Sequence, residues 1–390
     1  MEFLIRGRFP DVARPVDVVV RDGKVARVGR AGRTPPDFGS AEAIIGPTLF
    51  DIQVNGAFGV NLQGEQLRAE DVEEITRGLA GQGVSCWAPT LVTASLESME
   101  HGCRVIAEAM EQTLVRRAVP GVHLEGPCIS PEDGPRGAHP RVHVRPPSLK
   151  EFNRLFKAAQ GCVLYTTVAP ELPGAIPYIR TLTARGVLVS LGHHAASREQ
   201  IAAAVEAGAR LCTHLGNGAA PRMHRHLNPL WPQLAEDHLY ASLIADLHHL
   251  PPEVLKTFVR AKQPRRIILT SDAVDLAGMK PGHYTLFDAG VELRKDGKIC
   301  LTGTELLAGS SLMLLQGVVN MWKIGAMTLG EAFASASTIP ARLFGLKRRF
   351  SLPQPGGRAD FLVFNIEETK ARSEARVVAT FVKGELQSWT

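Results

Sequence analysis

Much of what would assign this chain to other classes is missing from it. The opening residues, MEFLIRGRFPDVARPVDVVV, lack the basic start, apolar middle and small-residue cleavage site of a secretory signal, and no stretch reaches 18 uninterrupted apolar residues. A cytoplasmic protein with no membrane partner is expected. The six cysteines (Cys86, Cys103, Cys128, Cys162, Cys212 and Cys300) lie far apart and include no CxxC pair. That spacing argues against a disulfide framework or a sulfur zinc site and predicts reduced, mostly buried thiols. No run of five or six basic residues concentrates the net charge of +5. The short stretch Lys347-Arg348-Arg349 reads as a solvated helix end, so nucleic acid is not an expected partner. No internal repeat and no low-complexity segment is evident, which argues against a solenoid.

What is present is length, a core and histidine. The chain has 390 residues, about 2.5 times the ~150 that serve as a soft prior for one domain, so either two domains or one embellished α/β barrel is expected. Hydrophobic residues make up 45% and charged residues 21%, as in a globular protein that buries a sizeable core. Of 13 histidines, 11 fall between His123 and His249.

Both ends read as short strands and turns. FLIRGRF, then PVDVVVRDGKVARVG with an Asp22-Gly23 turn, precede the breaker-rich RTPPDFGS; at the far end GGRADFLVFN and ARVVATFVKGELQS flank a Lys383-Gly384 turn. Two such ends form one satellite domain if they meet in space. Between them, eight β-like runs alternate with longer amphipathic stretches: TLFDIQV, VSCWAPT, PGVHLEG, CVLYTTVA, VLVSLGH, RLCTH, YASLIAD and RIILTSD. Several are almost wholly apolar or β-branched, as parallel strands covered on both faces are. Helices are expected at AEDVEEITRGLAGQG, LESMEHGCRVIAEAMEQ, SREQIAAAVEAGA and PPEVLKTFVRAK, the third opened by a Ser197/Gln200 capping box. The run after the eighth strand contains a hairpin-like insert, HYTLFDAGVELRKDGKIC. The expected fold is α/β: a (β/α)8 TIM-like barrel over 49–345 with a small β-sandwich domain from 1–48 and 346–390. In such a barrel the chemistry sits at the C-terminal strand ends.

Those ends deliver a consistent set of side chains. Strand one offers Asp51, Gln53 and Asn55; strand three His123 and Glu125; strand five His193 and His194; strand six His214; strand seven Asp246, His248 and His249; strand eight Asp272. Each alone reads as a hydrogen-bonded core residue or a helix cap. Together at one barrel mouth they would be costly to desolvate without a shared positive partner, and nitrogen and oxygen donors suit zinc or a similar divalent ion.

The segments FDIQVNG, HLEGP followed by RGAHP, LGHH, THLGNG, IADLHH, LTSDA and LAGSSL occur in the order found in the N-acetylglucosamine-6-phosphate deacetylases of the amidohydrolase superfamily, which the chain resembles from about Gly46 to Gly345. The resemblance implies that Glu125, His193 and His214 bind the catalytic metal and that Asp272 is the general base and then acid. It places His139 near the acetyl carbonyl or sugar hydroxyls with Ala138 beside it. Asn217 and Gly218 would contact substrate, Arg225 and His249 the sugar phosphate, and Leu307, Ala308 and Gly309 the sugar. In that family the phosphate-binding arginine comes from the neighbouring subunit, which implies a homodimer. Many amidohydrolases add a second metal through His-x-His on strand one or a carboxylated lysine on strand four. Gln53 and Asn55 stand at the former and CVLYTTVAPE has no lysine, so one divalent ion per subunit is expected, zinc by preference.

The loop after strand six departs from the family. Where an aromatic residue and Asn-Ala-Met are common, this chain has Gly216-Asn217-Gly218-Ala219 and then PRMHRHLNPLW. Arg222, His224 and His226 around Arg225 favour a stronger phosphate site, against a reshaped loop with another sugar or no phosphate requirement. By motif register His193 and His249 face the site and His194 packs away from it; His101, His143, His238 and His283 read as surface or loop residues. Cys128 has nothing beside it to make a nucleophile. Two rivals stand: an amidohydrolase of cyclic amides or N-acyl-D-amino acids, and a non-enzymatic metal or sugar-phosphate binder. Asp272, a base with no use in a binding module, argues against the second.

Overall fold

The computed structural model describes residues 1–286, 289–305, 307–346, 350–369 and 373–387; the Lys347-Arg348-Arg349 run lies outside them. Eight parallel strands follow one another around the centre: β1 Leu49–Val54, β2 Val84–Val92, β3 Val122–Glu125, β4 Val163–Val168, β5 Leu188–Leu191, β6 Leu211–Cys212, β7 Tyr240–Ile244 and β8 Ile267–Thr270. Each pairs in parallel with its neighbour, and all eight coincide with the expected runs. The seam between β8 and β1 closes differently. Val54 bridges Ala273 in parallel, Asn55 N–H donates to Ala273 O at 2.7 Å and Asp272 N–H to Gln53 O at 3.1 Å. Below these, Asp51 Oδ1 accepts from Thr270 Oγ1 at 2.8 Å and Ser271 N–H at 3.1 Å. Asp51, offered by the sequence at the mouth, is thus a latch across the barrel seam.

Helices cover the outside, including α1 Ala69–Gly81, α2 Leu96–Ala109, α3 Arg198–Glu206 and α4 Pro252–Lys262. Each buries one stripe, as Val72, Ile75 and Leu79 do on α1, which is why the strands between barrel core and helices read as apolar on both faces. The Ser197/Gln200 capping box opens α3. Inside the barrel one layer is polar: His123 stacks on Tyr165 with ring centroids 3.7 Å apart and contacts Thr90 Oγ1 at 3.2 Å and Thr167 Oγ1 at 2.8 Å. Burial lowers its pKa to about 3. Fully buried, neutral and satisfied, His123 is a core residue under the site.

The two chain ends share one seven-stranded sheet, in the order Glu385–Gln387, Ser373–Val382, Phe361–Glu368, Phe38–Pro47, Glu2–Arg8, Val16–Arg21 and Lys24–Arg30. The ends meet where Phe361–Glu368 pairs antiparallel with Phe38–Pro47, a strand that begins inside the stretch the sequence marks as a break. The edge strand Lys24–Arg30 also meets the segment leading into Phe361–Glu368. Val25 N–H donates to Gly357 O at 2.8 Å and Ala359 N–H to Gly23 O at 3.0 Å, around a core of Ile5, Val18, Ile45, Phe361 and Phe381. After β8 the expected hairpin insert is a four-stranded antiparallel sheet, Gly282–Leu286, Ala289–Leu293, Lys298–Leu301 and Leu307–Ser310. Its last strand is pinned to the barrel rim by a parallel bridge from Ser310 to Ala273.

Candidate active site

Glu125 is the last residue of β3, and His193, His214 and Asp272 each lie two residues beyond the last residue of β5, β6 and β8. These three share an unusual backbone, with φ of +51°, +29° and +51°. Non-glycine residues rarely adopt that region, and when held there they cluster at functional sites. Two glycines hem in the His193 ring. A Cβ on Gly218 (φ +58°) would lie 2.7 Å from His193 Nδ1, and one on Gly137 (φ +60°) 3.1 Å from its Cε1.

Glu125 Oε1, His193 Nε2 and His214 Nε2 converge: Glu125 to His214 is 2.9 Å, Glu125 to His193 3.3 Å, and His193 to His214 3.1 Å. Zinc held at 2.0–2.1 Å by tetrahedral donors separates those donors by about 3.3–3.4 Å, so the triangle is close to one face of such a site. Tautomer geometry agrees. His193 Nδ1 lies 2.9 Å from Pro135 O; a carbonyl only accepts, so Nδ1 carries the proton and Nε2 keeps its lone pair toward the triangle. The donor set fits one divalent cation.

Without a cation the triad behaves as an ion pair. Burial pushes Glu125 upward, but its contacts with the His193 and His214 imidazoles prevail and hold it well below the usual carboxylate range. Burial opposes charge on His214, yet the bond to Glu125 raises its pKa to about 8. His139 closes one side, its Nε2 3.2 Å from His193 Nε2. Thr93 N–H donates to His139 Nδ1 at 3.4 Å, which leaves the His139 proton on Nε2, facing the triad. Burial keeps this ring neutral, with a pKa lowered to about 3.

Asp272 is held separately. Gln53 Nε2 and Asn55 Nδ2 both donate to its Oδ1, at 2.9 and 2.8 Å. Burial raises its pKa to about 6, against the pull of the His214 charge. Its position close to the charged His214, with one oxygen left over, suits proton transfer to and from a water and a leaving group.

The amidohydrolase family matches residues 44–386. The chain belongs to it. It is therefore an enzyme of a metal-dependent family that acts on carbon–nitrogen amide bonds. Within that family it belongs with the N-acetylglucosamine-6-phosphate deacetylases. It is 34% identical to the N-acetylglucosamine-6-phosphate deacetylase of Bos taurus, over 88% of this chain and 83% of that one. It is 33% identical to the N-acetylgalactosamine-6-phosphate deacetylase of Escherichia coli O157:H7, over 88% and 87%. Among solved structures, the Mycobacterium smegmatis N-acetyl-D-glucosamine-6-phosphate deacetylase in complex with N-acetyl-D-glucosamine-6-phosphate superposes with a TM-score of 0.83 at 26% identity, covering 99% of both chains. The Thermotoga maritima enzyme gives 0.79 at 28%, covering 100% of both.

The other expected site residues in this amidohydrolase are placed as follows. His249 Nδ1 pairs with Asp246 Oδ2 at 2.6 Å, while the adjacent His248 turns to Asp296 O at 3.3 Å. His194 is buried but stays out of the triad, its Nδ1 accepting from Ala196 N–H at 3.3 Å. His193 lies past the end of β5 at positive φ, and that turn of the backbone separates it from His194. Asn217 is tied to the backbone of His214 through Nδ2 at 3.3 Å. Leu307, Ala308 and Gly309 lie on the last strand of the insert rather than in a loop. Ala138 is exposed beside buried His139. Arg222, His224, Arg225 and His226 are all exposed on the loop after β6. Pro135 and Thr93, which fix two of the imidazoles, carried no role in the sequence; Asp246 stood there among the strand-end residues, without its pairing to His249. No described helix is long and apolar enough to cross a membrane.

Proposed function

We propose that this amidohydrolase removes the N-acetyl group of N-acetylglucosamine 6-phosphate, giving glucosamine 6-phosphate and acetate, as a cytoplasmic homodimer with one zinc ion per subunit. The observation that carries this reading is the convergence of three buried donors, Glu125, His193 and His214, beside a separately held carboxylate, Asp272, in a chain whose curated relatives act as hexosamine-6-phosphate deacetylases. Glu125, His193 and His214 would hold the ion. When bound, zinc supplies Lewis acidity toward a carbonyl oxygen and lowers the pKa of a water to about 7.

The remaining work falls to the chain's own side chains. Asp272, ionised and orientated by Gln53 and Asn55, takes a proton from the attacking water through its unoccupied Oδ2 and returns it to the departing nitrogen. His139, with its proton fixed on Nε2, donates to the acetyl oxygen as negative charge develops there. Asp246 accepts the Nδ1 proton of His249, leaving Nε2 for the sugar phosphate. Asn217, Gly218 and Ala138, with Leu307, Ala308 and Gly309 on the insert, would frame the sugar. Arg225, whose planar fork suits a phosphate, would reach the site of a second copy. Exposure of Leu227 (81%) and Trp231 (51%) beside it supports coverage of that loop by another subunit. The terminal sheet and the barrel are proposed as two domains, 1–48 with 346–390 and 49–345.

The test is acetate release from N-acetylglucosamine and N-acetylgalactosamine, each with and without the 6-phosphate, with metal analysis and sedimentation of the same sample. N-acetylgalactosamine 6-phosphate is the second substrate, favoured by the 33% identity to its deacetylase. Acetate from neither phosphorylated sugar overturns the proposal.

A further inference from the structure

Hydrolysis of an N-acetyl amide changes the hydrogen count at nitrogen. The carbon–nitrogen bond breaks with its electron pair left on nitrogen, the water oxygen joins the acyl carbon, and both water hydrogens end on nitrogen: R–NH–CO–CH3 + H2O gives R–NH3+ and CH3COO−. The site begins with one N–H to satisfy and ends with three.

Gln53, near the end of β1, and Asn55, just past it, reach the same carboxylate. A carboxylate only accepts hydrogen bonds, so both amides turn their nitrogens to Asp272 Oδ1, and each carbonyl oxygen must point elsewhere. Gln53 Oε1 and Asn55 Oδ1 are buried and have no hydrogen-bond partner among the described residues. A buried acceptor left unmet is costly and calls for a reason. Here two such oxygens belong to amides that both hold one oxygen of Asp272, the proposed base.

We propose that Gln53 and Asn55 form an amine-receiving subsite: their carbonyl oxygens, with Asp272 Oδ2, accept the three N–H bonds of the departing ammonium group. The inference rests on the deacetylation reading above. Neutral amides suit both duties. Their nitrogens keep Asp272 ionised and aimed, and their oxygens bind an ammonium without the full opposing charge that would hold it in place. Protonated imidazoles at the same positions would repel it.

The experiment titrates the metal-loaded enzyme with glucosamine 6-phosphate and with glucose 6-phosphate, which carries a hydroxyl where the other has its ammonium group. The wild type is expected to prefer the amine about tenfold or more, the worth of hydrogen bonds to a charged group. Gln53→Leu and Asn55→Leu should abolish that preference while keeping metal content and glucose 6-phosphate binding, and should lower kcat about 10- to 100-fold with KM within a few-fold. If either leucine variant fails to fold, Asn55→Ala, which leaves space rather than filling it, supplies the same comparison. A wild type without the preference, or folded and metal-replete variants that retain it, overturns the proposal. A wild type that releases no acetate from either phosphorylated substrate overturns the deacetylation reading instead, so the two failures are distinct.

Discussion

Asn55 Nδ2 donates to Asp272 Oδ1 across 2.8 Å, joining the first barrel strand to the end of the eighth over 217 residues of chain. Together with Gln53 on the same oxygen, it leaves Asp272 one free oxygen and one orientation. Asp272→Asn keeps the shape but cannot accept a proton there. The expected result is full metal content with kcat lower by about 10²–10⁴, the usual worth of a positioned acid–base group. Near-wild-type turnover would show that another residue is the base.

The pH profile of this carboxylate follows from its burial. Its pKa is raised to about 6 with burial as the main cause, and only the ionised form accepts a proton. As pH falls through that value kcat/KM should drop, and bound zinc, which favours the ionised form, can only move the limb lower. Asn55→Leu removes a hydrogen bond to the charged form and should move the limb upward. An acid limb well above 6 in the wild type would contradict the assignment.

Asp51 tests the seam rather than the chemistry. Its Oδ1 receives Thr270 Oγ1 and Ser271 N–H, so Asp51→Ala removes that acceptor from two buried donors. Ser271 N–H then has no acceptor, which costs about 1–3 kcal/mol, while Thr270 Oγ1 keeps a long 3.5 Å contact to Gln53 O. A drop in melting temperature is therefore expected, read by calorimetry on the metal-loaded protein; an unchanged melting temperature would mean that the strands close the barrel without the latch.

The barrel is legible in sequence because strands covered on both faces are written as apolar runs such as 240–246. The strand Phe38–Pro47 is not, since its first half is only half-buried and its C-terminal partner, Phe361–Glu368, lies over 300 residues away. The same distinction separates the site residues. Glu125, His193 and His214 are visible as polar residues at the ends of apolar runs. Gln53 and Asn55 registered as strand-one residues at the mouth and as missing metal ligands but not as partners of Asp272, because their bond to it exists only once the barrel closes. Asp51, two residues before Gln53, looked like a site residue and instead bonds Thr270 and Ser271 across the barrel seam.

Metal binding should be linked to pH through His214. In the metal-free protein its pKa is raised to about 8 by the bond to Glu125, against burial, and a ligand imidazole must give up that proton. Below about pH 8 each unit of acidification should therefore weaken zinc about tenfold, and above it the dependence should flatten. Chelator competition at pH 6, 7 and 9 measures the slope. Equal affinity at all three would mean that His214 is already neutral before the ion arrives.

Gly218 has no room for a side chain. Alanine there would place Cβ 2.7 Å from His193 Nδ1 on a backbone at φ +58°, a region that disfavours L-residues. The nearest atom is the one hydrogen-bonded to Pro135 O, so the ring can move only by giving up the contact that fixes its tautomer. Disturbing such an outer contact typically costs 10–100-fold in metal affinity. Gly218→Ala is therefore expected to fold, to bind zinc about 10- to 100-fold more weakly, and to regain part of its activity at raised zinc concentration. If zinc affinity is unchanged and only KM rises, Gly218 serves the substrate through its backbone, and the close packing against His193 is incidental.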